Sequence, residues 1–356
     1  MSKRIAKLAT MLAASAAAFT PILSLDTPKA TAAENAAENM TPATCHLGVI
    51  KSLRTGVPAN TIAVNYNQSS GEIYVGGQNK SGQWGVEAIN GTTYKPTAFI
   101  PTGGRFPYGI AVNPGTNTIY VANDDTSTLS VINGSTNKLT ATIHVARTAF
   151  SVDVDRRDGK VYVTGLAGDI SIISSATNKI VGTIHLGRTI NHAALNQVTG
   201  LLYATGEQSP GHPGVIFVVN VRTRKIIARI KPGGGSRPYA VAVNPRTNTV
   251  YVTSNPNPGH WGVIVINGAT NQVTTEISTS LYPGFLSLNP RNNLVYVITG
   301  TAENNAIMEI DGRDNELIST LSIDTFDSIF TGVNAPARYI YATSEDGTLL
   351  VLAGCR

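Results

Sequence analysis

Seven tyrosines fall at one position of a recurring phrase: Tyr74, Tyr120, Tyr162, Tyr203, Tyr251, Tyr296 and Tyr341, spaced by 46, 42, 41, 48, 45 and 45 residues. Around most of them the wording returns, as in A-V-N-P-G-T-N-T-I-Y-V-A-N at 111–123 and A-V-N-P-R-T-N-T-V-Y-V-T-S at 242–254. A unit of this length cannot bury its own apolar face. Repeated at 40–45 residues, it marks a ring of four-stranded sheets.

One unit reads strand by strand between Tyr108 and Arg147. Y-G-I-A-V-N is an inner strand with Ile110 and Val112 on one face, and Pro114-Gly115-Thr116-Asn117 turns the chain into T-I-Y-V-A, which alternates with period two. A loop from Asp124 to Thr128 leads to L-S-V-I-N, and a second turn leads to the outer strand K-L-T-A-T-I-H-V. Inner strands are expected to begin near Asn60, Tyr108, Phe150, Asn191, Tyr239, Gly284 and Ser328. The expected fold is therefore all-β, a seven-bladed β-propeller of four-stranded blades. Blade seven lacks an outer strand of its own, so residues 46–55 are expected to supply it and close the ring. Charged residues make up 14% of the chain and glycine 34 positions, as tight turns and doubly packed sheets require.

The ends read differently from the repeats. Residues 1–33 have the form of an export signal, with Lys3, Arg4 and Lys7 ahead of an apolar run to about Leu25 and small residues at Ala30, Ala32 and Ala33. Pro21 breaks that run, and no later segment has the roughly 18 uninterrupted apolar residues of a spanning helix. Residues 34–44 are a small, polar lead-in, and 45–356 form the propeller. A secreted product, extracellular or periplasmic and monomeric, is the expectation. Loss of 1–33 would lower the formal charge from +5 to +2, because four of the basic residues and one acidic residue go with it. So small a surplus argues against nucleic acid as the partner.

Only two cysteines occur, Cys45 and Cys355, one at each end of the repeats. Threading the phrase through both ends puts each at the place Ser135 takes in V-I-N-G-S. Export implies an oxidising compartment, so a disulfide joining the two ends is expected. Pro42-Ala43-Thr44 lacks the aliphatic lead of a lipid-anchor cysteine.

The phrases Y-V-A-N at 120–123, Y-V-T-S at 251–254 and V-I-N-G-x-T-N at 131–137 and 265–271 resemble the bacterial YVTN-repeat, or YncE-like, seven-bladed propeller family. The resemblance covers nearly all of the chain beyond the export signal. It implies the ring and an exported or surface location, and for one branch DNA binding. Related propellers include streptogramin-type lyases and the haem-binding domain of nitrite reductases, so the fold does not choose a chemistry.

Candidate sites follow from where propellers hold ligands, over the channel on the face made by loops into the inner strands and loops between second and third strands. Arg54, Arg105, Arg147, Arg188 and Arg237 lie in the first set. Arg105, Arg147 and Arg188 each stand eight residues before the equivalent Asn113, Asp155 and Asn196, an arc of guanidinium groups suited to carboxylate, phosphate or sulfate. The same residues could equally cap blade edges. Phe106, Tyr108, Phe150, Tyr239, Tyr282 and Phe285 keep them company, and rings beside cations suit sugars, aromatic acids or a peptide terminus. Long loops at 76–85, 205–214 and 253–262 carry Trp84 and Trp261 at equivalent places, and His212 and His260 likewise. His212, His260, His192 and Glu207 are the candidate acid and base groups if the chain is an enzyme.

No zinc-protease motif, closely spaced cysteine pair, acidic calcium loop, nucleophile elbow or phosphate loop accompanies them, so no metal and no cofactor are expected. Two classes stay open. One is a non-enzymatic propeller that binds an extracellular protein or a cell-envelope glycan at the channel entrance. The other is a lyase or hydrolase, resembling streptogramin-type lyases, that acts on a cyclic peptide or polysaccharide. Single-stranded DNA binding, as in the YncE-like branch, is a third reading.

Overall fold

The computed structural model describes residues 47–145, 147–206, 214–233, 236–255, 261–300, 304–323, 328–335 and 337–354, with backbone only at 59–62 and 328–330. Its strands are numbered in chain order. The inner strands are β2 (Ala59–Asn67), β6 (Pro107–Asn113), β10 (Ala149–Asp155), β14 (Ile190–Asn196), β18 (Pro238–Asn244), β22 (Tyr282–Asn289) and β26 (Ser328–Asn334). Second strands are β3 (Glu72–Gln78), β7 (Thr118–Asn123), β11 (Lys160–Gly165), β15 (Leu201–Gly206), β19 (Thr249–Ser254), β23 (Leu294–Gly300) and β27 (Tyr339–Ser344). Third strands are β4 (Trp84–Asn90), β8 (Thr128–Asn133), β12 (Asp169–Ser174), β16 (Val215–Asn220), β20 (Trp261–Asn267), β24 (Asn305–Asp311) and β28 (Thr348–Ala353). Outermost are β5 (Pro96–Pro101), β9 (Lys138–His144), β13 (Lys179–His185), β17 (Lys225–Ile230), β21 (Gln272–Thr279), β25 (Glu316–Ser322) and β1 (Gly48–Arg54).

Each sheet is an antiparallel four-strand meander, and together they make seven blades. Blade seven is ordered β1-β28-β27-β26, so the first strand of the chain completes the last sheet. Gly48 stands opposite Ala353 and Arg54 opposite Thr348. Cys45 and Cys355, and with them the expected disulfide, lie outside the described residues.

The repeated tyrosine fastens blade to blade. Each of the seven rings is almost fully buried in the middle of its second strand, where a tyrosine of this kind removes roughly 150–250 Å² from water. Opposite it on the inner strand stands a smaller residue, such as Ala111 facing Tyr120 or Ala242 facing Tyr251. The Tyr74 hydroxyl donates to Asn137 Oδ1 of the next blade at 2.8 Å, and Tyr251 donates to Asn315 Oδ1 at 3.1 Å. Both asparagines sit in left-handed backbone at the end of a third-to-outer turn, with φ of 51° and 63°. That region is costly for most side chains but open to asparagine, which explains the T-N of the phrase.

A second asparagine set works at the inner turns. Asn196 at the end of β14 accepts an N–H from Val198 and donates to Asn248 Oδ1 of the next blade at 2.7 Å; Asn67 donates likewise to Asn117, and Asn244 to Asn293. These ties show that the inner strands share one direction. Inner and outer turns therefore lie on one face of the disc, the turn face, and the longer connections lie on the opposite loop face.

Every outer strand carries a bulge at the same place: Ile50, Thr97, Thr140, Val181, Ile227, Thr274 and Ile318. An extra residue there breaks the flat edge that would otherwise invite pairing with another chain. In three blades the bulged threonine also donates to a third-strand carbonyl, as Thr140 does to Val131 O at 3.0 Å.

Candidate functional site

The seven inner strands surround an axial cavity of about 440 Å³. Toward the loop face its wall is aromatic. Tyr108 and Phe150 stack with centroids 4.6 Å apart, Tyr239 meets Phe285 edge-on at 5.1 Å, and His192 lies 6.1 Å from Phe285. The middle is aliphatic, with Ile110, Val152 and Val243 among its lining, and toward the turn face it becomes polar at Gln68, Asp153, Arg156 and Gln197.

Polar side chains on the inner strands reach the backbone of the following blade, among them Asn65, Asp153 and His192. Asn65 donates to Ile110 O at 2.8 Å. Asp153 accepts the Val154 N–H at 2.7 Å and, across the blade boundary, the Leu195 N–H at 2.8 Å. Burial pushes the Asp153 carboxyl up to about 6 against those two bonds and the nearby Arg156 charge. His192 Nδ1 accepts the Val241 N–H at 3.5 Å, and burial pulls its pKa down to about 4, so the ring is neutral at pH 7. At the turn-face end, Gln197 donates to Val154 O at 2.5 Å and accepts the Arg156 N–H at 3.3 Å. Partial desolvation at the cavity mouth lowers the Arg156 pKa, which the Asp153 carboxylate opposes, while much of the side chain stays exposed.

The arginines picked out by sequence occupy the loop face. Arg105, Arg147 and Arg188 each stand two residues before an inner strand, in equivalent loops, and Arg237 stands one residue before β18. Arg105 pairs with Asp125 of its own blade at 3.5 Å and lies 5.7 Å from the Phe106 ring centre. Arg54 ends β1 and holds Asp346 through both the carboxylate at 2.6 Å and the carbonyl at 2.9 Å. Arg147 and Arg237 are exposed, and Arg188 is half-buried.

Trp84 opens β4 and packs on Phe106 at 4.3 Å, leaving 9% of its surface exposed. Trp261 takes the equivalent place at the head of β20 and is half-buried. Tyr108 is buried at the cavity wall, and Tyr239 is half-buried behind it against Phe285. His212, His260 and Glu207 lie outside the described residues. His192 is thus the one member of the candidate acid and base group whose surroundings are visible.

Asp153, Arg156 and Gln197 were not singled out from the sequence. Their signal was available in S-V-D-V-D at 151–155, where blades two and five read I-A-V-N and V-A-V-N. Among the described residues no group of three or more His, Cys, Asp or Glu could hold a metal ion, and no helix is long and apolar enough to cross a membrane.

A closed ring of seven four-stranded antiparallel blades about an axial cavity is a seven-bladed β-propeller. No protein-family model and no curated protein matches the chain, so the YVTN resemblance is carried by the repeat phrase alone. Many solved chains match it in shape, 1753 in all, which makes the likeness unselective. One is hydrazine synthase from Kuenenia stuttgartiensis, similar over 84% of this chain and 96% of that one, with a TM-score of 0.70 at 14% identity. At that identity the likeness is one of fold.

Proposed function

We propose that this protein is a secreted, non-enzymatic binding module that takes an extracellular protein or a cell-envelope glycan over the loop-face end of its channel. One observation carries the reading: arginines stand in equivalent loops of successive blades on the face toward which Tyr108, Phe150 and Phe285 line the cavity, with Tyr239 packed on Phe285. Rings of this kind offer stacking faces to sugar or aromatic groups, and guanidinium groups offer paired donors to acidic ones. The solved neighbour bears an enzyme's name, but 14% identity transfers no chemistry.

The test is retention of partners from culture medium and from isolated cell-wall glycan by the native chain and by an Arg105→Ala, Arg147→Ala, Arg188→Ala variant. The variant is expected to lose at least about tenfold in retained partner, since several charge-assisted hydrogen bonds vanish together. Equal retention by both would move the site off the loop face.

A further inference from the structure

Exposed basic side chains gather in one sector of the turn face. On the turns of blades three, four and five, including the first residue of the outer strands, Arg156, Arg157, Lys179, Arg222, Lys225 and Arg246 are all exposed. The one exposed carboxylate on those turns is Asp158. On the loop face two of the arginines are paired with acids, Arg54 with Asp346 and Arg105 with Asp125. A one-sided cluster of this size attracts polyanions over distances of about a Debye length, ~8–10 Å at ordinary ionic strength.

What surrounds the cluster selects the kind of polyanion. Val198 is 64% exposed on the inner turn of blade four, and Ile227, Ile180 and Val181 are 51%, 45% and 42% exposed where the outer strands begin. No aromatic side chain stands on these turns. Single-stranded nucleic acid is usually held by stacking rings beside the cations; a lipid surface needs cations at headgroup depth and aliphatic groups that can enter the boundary.

We propose that the turn face of blades three to five docks on an anionic lipid bilayer, with the basic side chains on headgroup phosphates and Val198 and Ile227 at the interface. This surface is separate from the loop-face site. The experiment is sedimentation of the secreted form, residues 34–356, with vesicles of phosphatidylglycerol and phosphatidylcholine in equal parts, and with vesicles of phosphatidylcholine alone.

Lys179→Glu with Lys225→Glu should weaken partition onto the anionic vesicles by about tenfold or more. Lys80→Glu with Lys231→Glu makes the same charge change on the loop face and should stay within about twofold, because those side chains point away from the surface. Val198→Ser with Ile227→Ser should weaken partition severalfold without altering its salt dependence. Melting curves of all three variants establish that each is folded. Four outcomes would overturn the proposal: equal losses from the two charge-reversed pairs, binding as tight to phosphatidylcholine alone, binding unchanged between about 50 mM and about 500 mM salt, or displacement from the vesicles by an oligonucleotide at equal phosphate concentration.

Discussion

At the scale of single residues, the polar groups on the inner strands are bridges whose protonation is set by burial, and two of them pull stability in opposite directions with pH. His192 has its pKa lowered from 6.5 to about 4, so the folded state refuses a proton that the unfolded chain accepts. Its contribution is complete above pH 6.5 and is lost as pH falls toward 4. Asp153 has its pKa raised from 3.8 to about 6, so the folded state favours the neutral acid. That contribution is complete below pH 3.8 and is lost as pH rises through 6. Either slope is at most about 1.4 kcal/mol per pH unit. The stability of the native chain minus that of His192→Gln should therefore rise from pH 4 to 6.5, while the difference from Asp153→Asn should fall from pH 4 to 6. Melting temperatures of the three proteins at half-unit steps check this, and differences sloping the same way would refute it. His192 stood out in the sequence as a possible acid or base partner of His212 and His260. Its Val241 partner is 49 residues away, and no local pattern announces a bond of that kind.

Among the elements, β1 has the most to explain. Counting strands against the tyrosine period left blade seven one strand short, and residues 48–54 fill the gap in the register that the alignment required. Leu53 stands opposite Leu349 there and packs against the buried cluster that includes Val351 and Tyr341. A chain beginning at residue 55 should melt on the order of 10 °C lower and should self-associate through the bared edge of β28. Thermal unfolding followed with light scattering measures both effects, and a monomer melting at the native temperature would show that the ring does not depend on its closing strand. The tyrosines, turns and strand order were legible because each recurs at a fixed offset. The seven bulges were not. A bulge is a mismatch between two strands, and its position carries threonine in three blades but isoleucine or valine in the others, so nothing recurs in the sequence to mark it.

For the whole molecule, closure means that each blade leans on two neighbours, including blade one on blade seven through β2 and β26. An open row of repeats can fray from its ends, whereas a ring offers no terminal unit to lose first. A single calorimetric transition with equal calorimetric and van't Hoff enthalpies is the expected result; two resolved transitions would contradict it. The sidedness of charge belongs to this scale as well. It was invisible in the formal total of +5 because Arg156, Lys179, Arg222 and Arg246 are scattered over some 90 residues and meet only when turns from three blades align. The seam in blade seven has a practical corollary. Since Gly48 and Ala353 stand abreast, a reporter or tether joined directly ahead of Gly48 or directly after Ala353 leaves from the same underside. Such a fusion would hold the disc by its base with the ring of loops facing upward, and would itself occupy the gap through which that underside approaches a support.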